Sequence, residues 1–163
     1  LSRPLSMELC VAYMVLPDAL MRVYREQYAL QYGSVPPFIQ RAVADYIGSG
    51  DCARHMDRFR VASRKKRDLL LAEITRACGD RVRVAAAGGG LHVLLSVSAP
   101  WTPGELLARA EARGVRLYPV ADCYPPPAPP SEKRLILGYG GVTAERFPEA
   151  LKRLKSAWFP EEN

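Results

Sequence analysis

The sequence lacks any long hydrophobic run. No apolar stretch approaches the roughly 18 to 20 residues that cross a bilayer, and no basic start followed by a small-residue cleavage site marks a signal peptide. A membrane-spanning or exported chain is therefore not expected, and a cytoplasmic one is. Cysteine is scarce: Cys10, Cys52, Cys78 and Cys123 stand far apart and form no CxxC pair. Histidine is scarcer still, with two residues. A zinc site wants closely spaced ligand pairs, so no metal site is expected. The cysteines read as reduced, small hydrophobic residues. Neither GxxxxGK[ST] nor a GxGxxG opening a helix is present, so Gly88, Gly89 and Gly90 do not read as a phosphate cradle. No internal repeat is visible.

What is there fits a folded domain. With 163 residues, 48% apolar and 25% charged, the chain falls in the globular range and can bury a core of ordinary size. It opens on Leu1, in a polar stretch, which suggests a piece of a longer protein whose upstream half is missing. The formal charge of +6 raises the question of a nucleic-acid partner. Arginine-rich coding bias produces the same balance, so charge alone decides little.

Along the chain, Leu9–Leu16 is a short apolar run closed by Pro17 and reads as a buried strand. Asp18 can open a helix to about Gln31, with Leu20, Val23, Tyr24 and Leu30 on one side. A second helix is expected over Phe38–Ile47, and a third, longer one from Asp51 to about Cys78. The period then changes from helical to two. Val82 and Val84 precede the glycine turn, and Leu91, Val93, Leu95 and Val97 alternate with His92, Leu94 and Ser96, which predicts an antiparallel hairpin. Thr102-Pro103-Gly104-Glu105 has the form of a capping box ahead of a helix ending near Arg113-Gly114. A strand over Val115–Val120 leads into a proline-rich loop beginning at Tyr124. A strand over Arg134–Tyr139 and a last helix with Phe147, Leu151, Leu154 and Trp158 as its apolar stripe complete the order. Helices segregate from a small antiparallel or mixed sheet, so the expected class is α+β and not doubly wound α/β.

Several local motifs in that order resemble the C-terminal portion of fold-type-I pyridoxal-phosphate enzymes, and most nearly the aminotransferase-like domain of MocR-type regulators in the GntR superfamily. The stretch from His55 through Leu71 is similar to that family's arginine-rich helix. Gly90-Leu-His-Val-Leu-Leu95 is similar to its GLHxLL strand, Arg113–Val120 (RGVRLYPV) to its RGVxVYP strand, and Leu135–Gly141 (LILGYGG) to its LLLGY strand. The resemblance covers essentially the whole chain. It implies that residues 1–32 are the tail of the cofactor-binding large domain with its connecting helix, and that 33–163 form the small domain.

The resemblance also implies a degenerate cofactor site. Counting back from Tyr13 and Pro17 puts Arg3 where the family carries its Schiff-base lysine, and Cys10 where an arginine helps hold the cofactor phosphate. Ser2 keeps the family pattern. A desolvated lysine can lose its proton and react with an aldehyde, whereas a guanidinium stays charged and does not. Losing the arginine at position 10 removes a charge-assisted contact worth roughly 1.5–3 kcal/mol. Pyridoxal phosphate is thus the family's cofactor, and this chain is expected neither to hold it tightly nor to transaminate.

Other residues carry weaker signals. Arg134 is a candidate for binding a substrate carboxylate, for which a planar guanidinium is suited, although the family's arginine aligns nearer Ile136. A solvent-facing strand-end arginine is the plainer account of Arg134. His92 has no acid or nucleophile at a recognisable spacing. The basic residues Arg54, Arg58, Arg60, Arg64, Lys65, Lys66 and Arg67 interleave with Met56, Phe59, Leu69, Leu70 and Ile74. That pattern reads as a solvated helix face over a buried stripe, without the aromatic platform of a single-strand binder.

Three functional readings follow. The first is the effector-sensing and dimerising part of a MocR-type transcriptional regulator, in which DNA is bound only through an absent N-terminal winged-helix domain. It carries the expectations of a homodimer and an amino-compound effector. The second is the small domain of a class I/II aminotransferase. The third is an interaction module that dimerises and binds no ligand.

Overall fold

The structure, a computed structural model, describes residues 5, 9–28, 35–88, 90–125 and 133–160. The chain divides into two compact units, Leu1–Arg60 and Val61–Asn163, with the division falling inside one long helix.

The first unit holds helix α1 (Asp18–Tyr28), helix α2 (Pro37–Gly48) and the opening of helix α3 (Asp51–Cys78). Proline suits the first turn of α2 because its missing N–H would have no intrahelical partner there. Ser49 closes that helix, its N–H donating to the Asp45 carbonyl and its hydroxyl to the Tyr46 carbonyl. Neither α1 nor α2 contains a buried residue.

The strand expected over Leu9–Leu16 does not form. Residues 10–17 are irregular, and Tyr13, Met14 and Val15 stand 76%, 70% and 85% exposed. A strand exists by pairing with a neighbour, and among the described residues no strand pairs with this segment. Apolar composition marks such a segment without supplying its partner.

The second unit is a sheet covered on one face by helices. Strands β1 (Val82–Ala86), β2 (His92–Val97), β3 (Tyr118–Pro119) and β4 (Arg134–Gly138) lie in the order β1-β2-β4-β3, every neighbouring pair antiparallel. The expected hairpin is β1 and β2, with a bulge between Val84 and Ala86. Helix α4 (Pro103–Ala112) starts at the expected capping box: the Glu105 N–H donates to Thr102 Oγ1 at 3.3 Å, and the Thr102 N–H donates to Glu105 Oε2 at 2.7 Å. Helix α5 (Phe147–Trp158) buries all four residues of its expected stripe.

One face of the sheet, carrying Val93, Leu95, Leu135 and Leu137, meets Ile74 of α3, Leu106 of α4 and Leu154 and Trp158 of α5 in a single core. Two indole N–H groups lock this packing, Trp158 donating to the Leu106 carbonyl at 2.9 Å and Trp101 to the Trp158 carbonyl at 2.8 Å. A buried indole needs such a partner. The expected class, α+β, is the one observed.

Two expectations need correction here. Leu69 is 55% exposed, whereas Leu70, Ile74 and Cys78 are buried. Four-residue spacing keeps those three on one helix face, and Leu69 lies about 100° round from Leu70. The strand expected over Val115–Val120 shrinks to Tyr118–Pro119 and passes directly into a turn of 3₁₀ helix at Val120–Cys123. β3 is the sheet's edge, where proline, which has no N–H to donate, is tolerated but does not propagate the ladder.

Candidate functional site

Alternation along β2 and β4 sends every second side chain away from the core. On β2 these are His92, Leu94 and Ser96, and on β4 Arg134, Ile136 and the side-chain-less Gly138. Tyr118 pairs with Ile136 at the edge. The 3₁₀ turn after β3 then rises beside this face with Asp122 and Tyr124. Together they enclose an open groove of about 740 Å³ whose wall includes His92, Leu94, Tyr118, Asp122, Tyr124 and Ile136. That volume suits a small-molecule site.

Gly138 helps to shape the groove. A Cβ there would stand 3.3 Å from His92 Cδ2, so the absence of a side chain lets the imidazole lie across β4. The turn at the end of the hairpin is tied down separately. Tyr139 donates its hydroxyl to the Gly90 carbonyl at 2.9 Å and its N–H to the Leu91 carbonyl at 2.8 Å. Burial pushes the Tyr139 phenol up from its ordinary value, so it remains a donor through neutral pH.

The groove is mainly apolar, with Asp122 and His92 as polar points on its wall. Among the described residues no charged side chain is buried, and no group of three or more His, Cys, Asp or Glu could hold a metal ion. The face is thus equipped to bind through apolar area and a few polar contacts.

The candidate residues separate. Ser2 and Arg3 lie outside the described residues. Cys10 is exposed, in irregular chain, with φ of 46°, a left-handed conformation uncommon for a side chain other than glycine. Arg134 opens β4 opposite Ser96, exposed and on the groove's face of the sheet, two residues before Ile136 in the groove wall. No local sequence motif marks Tyr118, Asp122 and Tyr124 as site residues. Alternation places Tyr118 on a face, but the sequence does not show which loop folds back beside that face.

The basic stretch of α3 uses several of its charges within the chain. Arg54 pairs with Asp51 at 2.7 Å and Arg60 with Asp57 at 2.9 Å. Lys66 donates to the Gly140 carbonyl at 2.9 Å, and Arg67 pairs with Asp68 at 2.8 Å. A solvated, internally paired helix face accounts for these residues.

No family model matches the chain. It is 34% identical over 157 residues to YdeL, an uncharacterized HTH-type transcriptional regulator of Bacillus subtilis (strain 168), covering 96% of this chain and 34% of YdeL. It is 23% identical over 154 residues to the probable rhizopine catabolism regulatory protein MocR of Rhizobium meliloti, covering 94% of this chain and 31% of MocR. Among solved structures it matches LysN, the α-aminoadipate aminotransferase of Thermus thermophilus, solved with N-(5'-phosphopyridoxyl)-L-leucine. That match has a TM-score of 0.79 at 24% identity and covers 96% of this chain and 39% of LysN.

The sheet and its helices therefore share the fold of the matched part of fold-type-I aminotransferases. The chain spans about a third of the length of the curated relatives it matches. Its sequence is similar to one stretch of HTH-type transcriptional regulators, MocR among them.

Proposed function

We propose that this chain is the effector-sensing and dimerising part of a MocR-type transcriptional regulator, and that it is catalytically silent. The observation that carries the reading is the similarity to an HTH-type regulator along 96% of the chain. On this reading residues 1–32 belong to the tail of the large domain and 33–163 to the small one. DNA is contacted by a winged-helix domain elsewhere in the full-length protein, which works in the cytoplasm.

The donor set does not fit covalently held pyridoxal phosphate. Arg3 offers a guanidinium where a reactive amine is needed, and Cys10 a thiol where a cation would meet phosphate. Effector recognition is then non-covalent, with the outer-face groove, on the sheet face that also carries Arg134, taking the body of an amino compound. Exposed Leu20, Val23 and Tyr24 on α1, with Phe38 and Ile47 on α2, support a homodimer built through the first unit.

Gel-shift and footprinting experiments on the full-length protein test the regulator reading. Specific protection near its own gene is expected, and its absence would sink the reading in favour of the aminotransferase alternative. Incubation with pyridoxal phosphate and borohydride tests the silent site: no covalent adduct is expected, and one mapped to residues 1–10 would overturn it.

A further inference from the structure

A second cavity lies apart from the sheet's outer groove. It opens where the turn after α4 meets β4 and the first half of α5, and it measures about 460 Å³. Its floor is apolar, made by the core residues Leu137 and Phe147 with Val142 and Ala150. Its rim is basic: Arg116, Arg146 and Arg153 border it, with Glu149 the one acidic residue.

The charges do not cancel. Glu149 Oε1 accepts from Arg153 Nε at 2.8 Å, and that guanidinium holds the Glu149 carboxyl below its usual range. Arg153 also reaches back over the turn, since a Cβ placed on Gly114 would stand 3.5 Å from its Nη1. Gly114 itself has φ of +73°, which sets the chain reversal that brings Arg116 to the rim. With Glu149 and Arg153 satisfied by each other, Arg116 and Arg146 remain, and among the described residues neither has an ion-pair partner. The start of α5 adds a positive helix end of the same sign.

We propose that this cleft binds a small phosphate monoester with a compact apolar body. The two guanidiniums match a dianionic head, and arginine's planar fork is suited to phosphate oxygens. The apolar floor would take the organic part, and the volume falls in the lower range of small-molecule sites. This site is independent of the regulator reading and of the outer-face groove.

Calorimetric titration of the 163-residue chain with phenyl phosphate tests it, with inorganic phosphate and phenol as the two halves of the probe. Saturable one-to-one binding of phenyl phosphate is expected, with each half weaker by about tenfold or more. The double variant Arg116→Ala/Arg146→Ala should weaken binding at least about tenfold and leave the urea midpoint unchanged, because both side chains are exposed and unpaired. Arg116→Lys/Arg146→Lys, which keeps both charges, should bind more tightly than the alanine pair. The proposal fails if phenyl phosphate does not saturate, if the alanine pair binds it as well as the parent, or if inorganic phosphate binds as tightly as the ester.

Discussion

The two units of this chain spend their apolar residues differently. In Val61–Asn163 the large side chains of three helices and one sheet face vanish into a single core, and every buried residue among those described falls there. In Leu1–Arg60 the comparable residues stand out in the open: Phe38 is 71% exposed and Leu20 55%. Both units are helical and rich in Leu and Val, so their aliphatic content does not separate them. What separates them is the sheet, whose flat face gives amphipathic helices a surface to cover. A helix pair lacking such a face keeps its apolar stripe available for something else.

Substitutions can break or sharpen this contrast. Trp158→Ala should cost the most, about 3–5 kcal/mol in urea unfolding, because it empties the core centre and removes the indole N–H that ties it to the Leu106 carbonyl. A loss under about 1 kcal/mol would mean that this core is not what holds the second unit together. Gly140→Ala comes next, at about 1–3 kcal/mol: a Cβ there would meet Leu91 Cδ1 at 2.8 Å, on a residue whose carbonyl Lys66 holds.

Thr102→Ala should cost about 1 kcal/mol by removing the cap of α4. The same cap is sensitive to acid. The bonds from Thr102 hold the Glu105 carboxyl below its ordinary range. Their contribution is complete above the unfolded carboxylate pKa and is lost as pH falls through the lower folded value. The stability gap between parent and Glu105→Gln, followed by urea midpoints from about pH 7 down to about pH 3, should therefore narrow. A gap that widened on acidification would reverse the assignment.

The smallest effect belongs to the first unit. Phe38→Ser should change urea stability by less than about 0.5 kcal/mol, while sedimentation should reveal weaker self-association. A large loss of stability in a monomeric sample would show that α2 is packed more tightly than its exposure indicates.

Much of the second unit was legible because its signals are local. The Thr102–Glu105 box, the alternation over Leu91–Val97 and the stripe of α5 each lie within a short stretch of chain, and each was found where expected. The failures have non-local causes. Leu9–Leu16 is apolar enough for a strand, but pairing depends on a neighbour and not on composition. β3 was shortened by Pro119, whose effect depends on lying at a sheet edge. The outer groove joins Ala86 to Ile136, and the basic cleft joins Gly114 to Arg153, so neither could be read from any single stretch.

The strand order β1-β2-β4-β3 also bears on how the second unit assembles. β4 lies between β2 and β3, so the hairpin and the edge strand have no shared neighbour until residues 134–138 arrive. Closing that span costs loop entropy before any of the central pairing repays it. A nascent chain would hold a lone hairpin, marginal by itself, until β4 slots in. The groove wall and the core floor are opposite faces of this one strand, so a binding surface and a stable interior come into being in the same folding event.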